Sequence, residues 1–121
     1  MTTIVRQVAL CIALQMCSSV ACAHAFLERA RPAVGSAVHG SPTEIRLWFS
    51  APLEPAFSSV KVLDQGGKQV DRKDKQVERG DAAQIRVTVP ALANGTYRVV
   101  WHVVSVDAHV TDGDFTFEVV P

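Results

Sequence analysis

Two short features of this sequence carry donor atoms suited to a metal ion: a histidine at position 24, and the run Ser105-Val106-Asp107-Ala108-His109. His24 follows Ala21-Cys22-Ala23, a small-x-small pattern of the kind cut on export, so cleavage there makes His24 the first residue. A first-position histidine offers its α-amine and Nδ1 to one ion in a six-membered chelate ring. The amine has an ordinary pKa of about 7.7–8.0, so a metal must displace a proton, and Cu(II) does this best among the common divalent ions. Asp107 and His109 are two apart, which in extended backbone puts both side chains on one face. Two imidazoles, one amine and one carboxylate make an N/O donor set without sulfur, suited to one tetragonal Cu(II) ion per chain. Each half alone has an ordinary explanation. A histidine can simply stand where cleavage falls, and Asp-x-His is common in surface loops.

The segment ahead of His24 reads as a secretory signal over residues 1–23. Arg6 supplies the positive start, Val8 to Leu14 is unbroken apolar chain, and Ser18-Ser19 introduces the polar end. Such a run falls short of the roughly 20 residues that span a bilayer. A lipoprotein form with Cys22 lipidated is the competing expectation, and it leaves two residues in front of His24. All three cysteines (Cys11, Cys17, Cys22) and both methionines (Met1, Met16) lie in this segment. The exported chain, residues 24–121, thus has no disulfide, thiolate zinc site, cysteine nucleophile or blue-copper ligand set.

The remaining histidines have blander readings. His39 stands beside Gly40 and is expected in a solvated turn. His102 shares a strand face with Arg98 and is expected near the surface, in a structural or supporting role. Trp48 and Trp101 are expected in the core, Asp112 and Asp114 at a turn and a strand edge.

The elements that must position these residues have a period of two. Ile45, Leu47 and Phe49 alternate with polar or large residues, as do Val60 and Val62, then Ile85, Val87 and Val89, then Phe115, Phe117 and Val119. Tyr97, Val99, Trp101 and Val103 share the core side of a longer strand. Turns are expected at Gly40-Ser41-Pro42, Asp64 to Gly67, Arg79-Gly80-Asp81, Ala93-Asn94-Gly95 and Asp112-Gly113. Pro52 and Pro55 make Ala51 to Ala56 a crossing between strands. The charged run Val70 to Gly80 reads as a solvated loop or an edge strand. The pattern predicts one all-β domain of about seven strands, an antiparallel Greek-key sandwich, with a small closed barrel as the alternative. Of the 121 residues 48% are apolar, enough for a core, and Lys plus Arg balance Asp plus Glu at 12 each. No basic excess exists for nucleic acid or anionic lipid. No nucleophile elbow or phosphate-binding glycine loop occurs.

His24-Ala25-Phe26-Leu27, Arg31 to Ser36, Leu47-Trp48-Phe49-Ser50, Gly95 to Trp101, Ser105 to His109 and Gly113 to Phe117 occur in an order and spacing that resemble the CopC family of periplasmic copper-resistance proteins. The resemblance covers essentially all of residues 24–121. It implies an Ig-like, cupredoxin-like β-sandwich that carries copper without catalysis, with Cu(II) on the residues matching His24, Asp107 and His109. It also implies a periplasmic location, and a CopD-like membrane importer as partner, on a separate chain because no transmembrane segment follows. A monomer is expected. Two departures stand out. Some members carry a Cu(I) site in a methionine-rich loop, and residues 24–121 contain no methionine, so no such site is expected. Many members have an acid directly after the Phe-Ser of the second strand, where this chain has Ala51; Glu54 is the nearest substitute. Two other functions compete with a copper carrier. One is an oxidative enzyme with a histidine-brace-like copper, and the other is a metal-free Ig-like interaction domain.

Overall fold

Alternating sequence gives each strand one wet and one dry face. The computed structural model, which describes residues 25–121, realises this in strands β1 (Leu27–Arg31), β2 (Ala37–His39), β3 (Glu44–Phe49), β4 (Ser59–Leu63), β5 (Gln76–Val77), β6 (Gln84–Thr88), β7 (Gly95–Val104) and β8 (Val110–Val120). A single 3-10 turn, Pro55–Phe57, lies in the proline-rich crossing. The strands form two four-stranded sheets, ordered β1-β3-β6-β5 and β2-β8-β7-β4. The alternating residues meet between them: Ile45, Leu47 and Phe49 with Ile85 and Val87 from one sheet, Val60, Val62, Val99, Val103, Phe117 and Val119 from the other. Full burial of each such side chain stabilises the sandwich by roughly 1.5–3 kcal/mol. Trp101 packs edge-on to Phe49 across the sheets, with ring centroids 6.0 Å apart. The segment read as a secretory signal, residues 1–23, and His24 lie outside the described residues.

Three expectations change. The sandwich is antiparallel except for β2 and β8, which pair in parallel. The chain leaves β1 and joins the other sheet beside β8 without reversing against it, a route that periodicity cannot reveal. Trp48 is not in the core. It stands on the outer face of β3, half-buried under Arg29, whose guanidinium lies 4.2 Å from the ring centroid. Asp112-Gly113 is not a turn but the interior of β8, opposite His102 and Trp101. A Cβ on Gly113 would fall 2.2 Å from Trp101 Cζ2, so this glycine admits an indole rather than a bend. The charged run is partly both of its readings: Gln76–Val77 forms a short edge strand, and Asp71, in the loop ahead of it, is buried. Asp71 accepts hydrogen bonds from Val62 N at 2.8 Å and Lys73 N at 3.0 Å, which anchors the loop.

Candidate metal centre

The long β7–β8 hairpin pairs residue by residue from Gly95 with Val119 to Val104 with Val110, and residues 105–109 turn the chain between them. Ser105 is fully buried at the base of this turn. Its N–H donates to the His109 carbonyl at 2.9 Å, and Ala108 N–H donates to the Ser105 carbonyl at 2.8 Å. Ala108 takes a left-handed conformation, with φ of 69°. The expectation of extended backbone across Asp107 and His109 is therefore corrected: the turn at Ala108, not the pleat, brings the two side chains to one side. Asp107 Oδ2 lies 3.2 Å from His109 Nδ1, with the two side chains 40% and 47% exposed. An incoming ion can reach both.

The buried Ser105 hydroxyl donates to Asp107 Oδ1. That hydrogen bond, aided by His109, holds the Asp107 carboxyl below its ordinary pKa against a smaller upward push from desolvation. The hydrogen bond thus favours the ionised carboxylate. His109 N–H also lies 3.3 Å from Ser105 Oγ, so one hydroxyl touches both halves of the motif. The sequence reading passes over Ser105. Its signal is a hydroxyl two residues before an acid at a strand end, the spacing of a local side-chain turn.

The proline-rich crossing ties this loop to the beginning of the described chain. Val106 N–H donates to Pro52 O at 3.1 Å, Glu54 N–H to Val104 O at 2.8 Å, and Leu53 bridges Ser105. On the other side, Ser50 N–H donates to Phe26 O at 2.8 Å, and Phe26 N–H donates to Ser50 Oγ at 2.8 Å. Ala25 is wholly buried. Ala51 packs against the core within this link.

The other sequence candidates fall elsewhere. His102 projects from the outer face of β7, and its Nδ1 lies 2.5 Å from Asp112 Oδ1 on β8. Asp114 faces Arg98 on the same outer face at 3.6 Å. His39 is in β2, with Nδ1 2.9 Å from the Pro121 carbonyl. It sits at the far end of β8 from His109, roughly 30 Å along the strand. Trp101 is in the core, as expected. Among the described residues no three of His, Cys, Asp and Glu gather around one point. Asp107 and His109 stand as a pair of side chains that could offer two donors.

Comparison with known proteins fixes the context. The CopC domain model matches residues 27–120. The chain is 41% identical to protein YobA of Escherichia coli K12 over 100 residues, covering 80% of this chain and 79% of YobA. It superposes on the crystal structure of CopC from Methylosinus trichosporium OB3b with a TM-score of 0.77 and 35% identity, covering 81% of this chain and 95% of that one. It also superposes on PcoC, a methionine-rich copper resistance protein from Escherichia coli, with a TM-score of 0.68 and 31% identity, covering 81% and 100%. It is also 36% identical to copper resistance protein C of Escherichia coli over 106 residues, covering 82% of this chain and 83% of that one. An all-β sandwich, an accessible Asp-x-His turn and a family match across nearly all of the described residues agree: the chain belongs to the CopC family.

Proposed function

We propose that this protein carries or buffers copper outside the cytoplasm, binding one Cu(II) ion through the α-amine and imidazole of His24, the carboxylate of Asp107 and the imidazole of His109. The observation that carries the reading is the Asp107–His109 pair, 3.2 Å apart and open to solvent. The hydrogen-bonded link from Phe26 through Ser50 and Pro52 to Val106 supports a contribution from the residue just ahead of Ala25. The donors fit the ion: nitrogen and oxygen, no sulfur, and an anionic oxygen that favours Cu(II) over Cu(I). Where PcoC is methionine-rich, residues 24–121 of this chain have no methionine, so the cargo is Cu(II) and not Cu(I). The protein delivers the ion as a monomer to a CopD-like membrane importer, or withholds it, in the periplasm.

The test is a Cu(II) titration of protein exported and processed by its host, with intact mass confirming a start at His24. One tight equivalent is expected. It is lost when a residue is added before His24 and when His109 is replaced by Ala. Absence of stoichiometric binding by protein that starts at His24 ends the proposal.

A further inference from the structure

The outer face of the β1-β3-β6-β5 sheet carries a concentration of guanidinium groups that neither the core nor the metal loop uses. The register sets Arg29 beside Trp48, Arg31 beside Arg46, and Arg46 beside Arg86. Arg31, Arg46 and Arg86 thus form one row across three strands. Like charges directly opposite on neighbouring strands destabilise a sheet. Two carboxylates offset part of the row: Glu44 lies 3.1 Å from Arg46, and Glu78 lies 3.2 Å from Arg46 and 2.7 Å from Arg86. Nothing comparable meets the β1 end. Among the described residues Arg29 and Arg31 form no ion pair, and Glu28, in the bulge of β1, pairs with neither. Both guanidiniums instead lie over Trp48, at 4.2 and 5.9 Å from its ring centroid, with both arginines exposed. Arginine and tryptophan are the residue types that most often dominate protein–protein binding energy. Two uncompensated positive charges on one indole therefore make a surface for a negatively charged partner.

The geometry narrows the partner's form. β1 is an edge strand. Arg29 and Arg31 project from the same side of it, two residues or about 6.6 Å apart along the chain. An extended segment with acids at alternate positions has the same repeat and meets both arginines at once. We propose that this face docks an extended acidic segment of a partner protein, its alternate carboxylates engaging Arg29 and Arg31 beside Trp48. The inference does not depend on the metal reading.

The probe is an end-blocked peptide of alternating Glu and Ser, with its Gln-Ser counterpart as control. Each is added to the folded protein while NMR follows the two indole N–H signals. The Glu peptide is expected to shift the Trp48 indole and the β1 amides, to leave the Trp101 indole in place, and to bind more weakly as salt rises. Arg29→Ser with Arg31→Ser is expected to weaken binding about tenfold or more. If the double variant loses thermal stability, the single changes Arg29→Gln and Arg31→Gln read the same effect. An unmoved Trp48 signal, equal shifts with the Gln peptide, or undiminished binding by the arginine variants overturns the proposal. Cosedimentation with phosphatidylglycerol vesicles that requires both arginines, without peptide binding, also overturns it and assigns the face to lipid.

Discussion

The hydroxyl of Ser105, with no solvent exposure, donates to the exposed carboxylate of Asp107. A core residue thereby sets the charge and direction of a surface carboxylate. Ser105→Ala removes that donor and the contact to His109 N–H. The metal-free variant is expected to titrate Asp107 at a higher pH than the parent, since the largest cause of its lowered pKa is gone. Its Cu(II) affinity is expected to fall about tenfold, the usual scale for losing a group that orients a metal ligand. Carbon-detected NMR of the Asp107 carboxyl and a competitive copper titration check the two effects. An unchanged Asp107 titration would remove Ser105 from the site.

Ala108 holds the turn in a conformation that L-residues seldom adopt. Glycine at 108 relieves the steric cost, so Ala108→Gly is expected to keep both the fold and copper binding. Ala108→Val places a β-branched side chain at positive φ and is expected to cost roughly 1–3 kcal/mol. It should also separate Asp107 from His109. Thermal unfolding and Cu(II) titration of the two variants side by side read both consequences.

Gly113 and Trp101 lie opposite each other on β8 and β7, with no room for a methyl group between them. Gly113→Ala must displace the indole, which also contacts Phe49 and Phe115. We expect a loss of roughly 1–3 kcal/mol, the usual cost of overpacking a core, and a changed near-ultraviolet dichroism from the tryptophan region. The Asp107–His109 turn is not in the clash, so copper stoichiometry is expected to survive.

Asp74 accepts hydrogen bonds from Thr88 N at 2.9 Å and Thr88 Oγ1 at 2.5 Å, and these hold its pKa below the ordinary carboxylate value. The unfolded chain therefore takes up this proton first as pH falls. The stability from the depressed Asp74 pKa is fully present above the unfolded value, about 3.9, and is lost as pH drops through the lower folded value. Asp74→Asn removes this titration. Its melting temperature is expected to decline less steeply than the parent's below about pH 4. Melting curves at a series of acid pH values provide the comparison, and parallel declines would exclude Asp74 from acid unfolding.

The inner face of each main strand was legible from alternation alone, because a half-buried strand writes its dry side into every second residue. That reasoning placed Ile45, Val62, Val87, Trp101 and Phe117 correctly. Alternation also set Trp48 on the face opposite Ile45 and Leu47; size and apolarity suggested a core residue against it, and two arginines supply the cover instead. The reading failed at Gly113, because a glycine that opens a turn and one that admits a ring look alike in sequence. The parallel pairing of β2 with β8 depends on the chain's path between sheets, which no local pattern records. At the candidate site, donor chemistry singled out Asp107 and His109, and their side chains lie 3.2 Å apart. The means differ: a left-handed turn at Ala108 anchored on Ser105, neither of which carries a metal donor in that reading.

The burial of Ala25 also bears on the order of events in the life of the chain. A protease that trims between Ala23 and His24 needs extended, accessible backbone on both sides of the bond. In the folded protein the second residue past that bond is sealed in the core, and the third is laced to Ser50. Cleavage at the site proposed here would therefore come before this corner of the sandwich closes. Under the proposed function, copper that uses the amine left by that cleavage would arrive last, and a protein that folded first would be left unable to receive it.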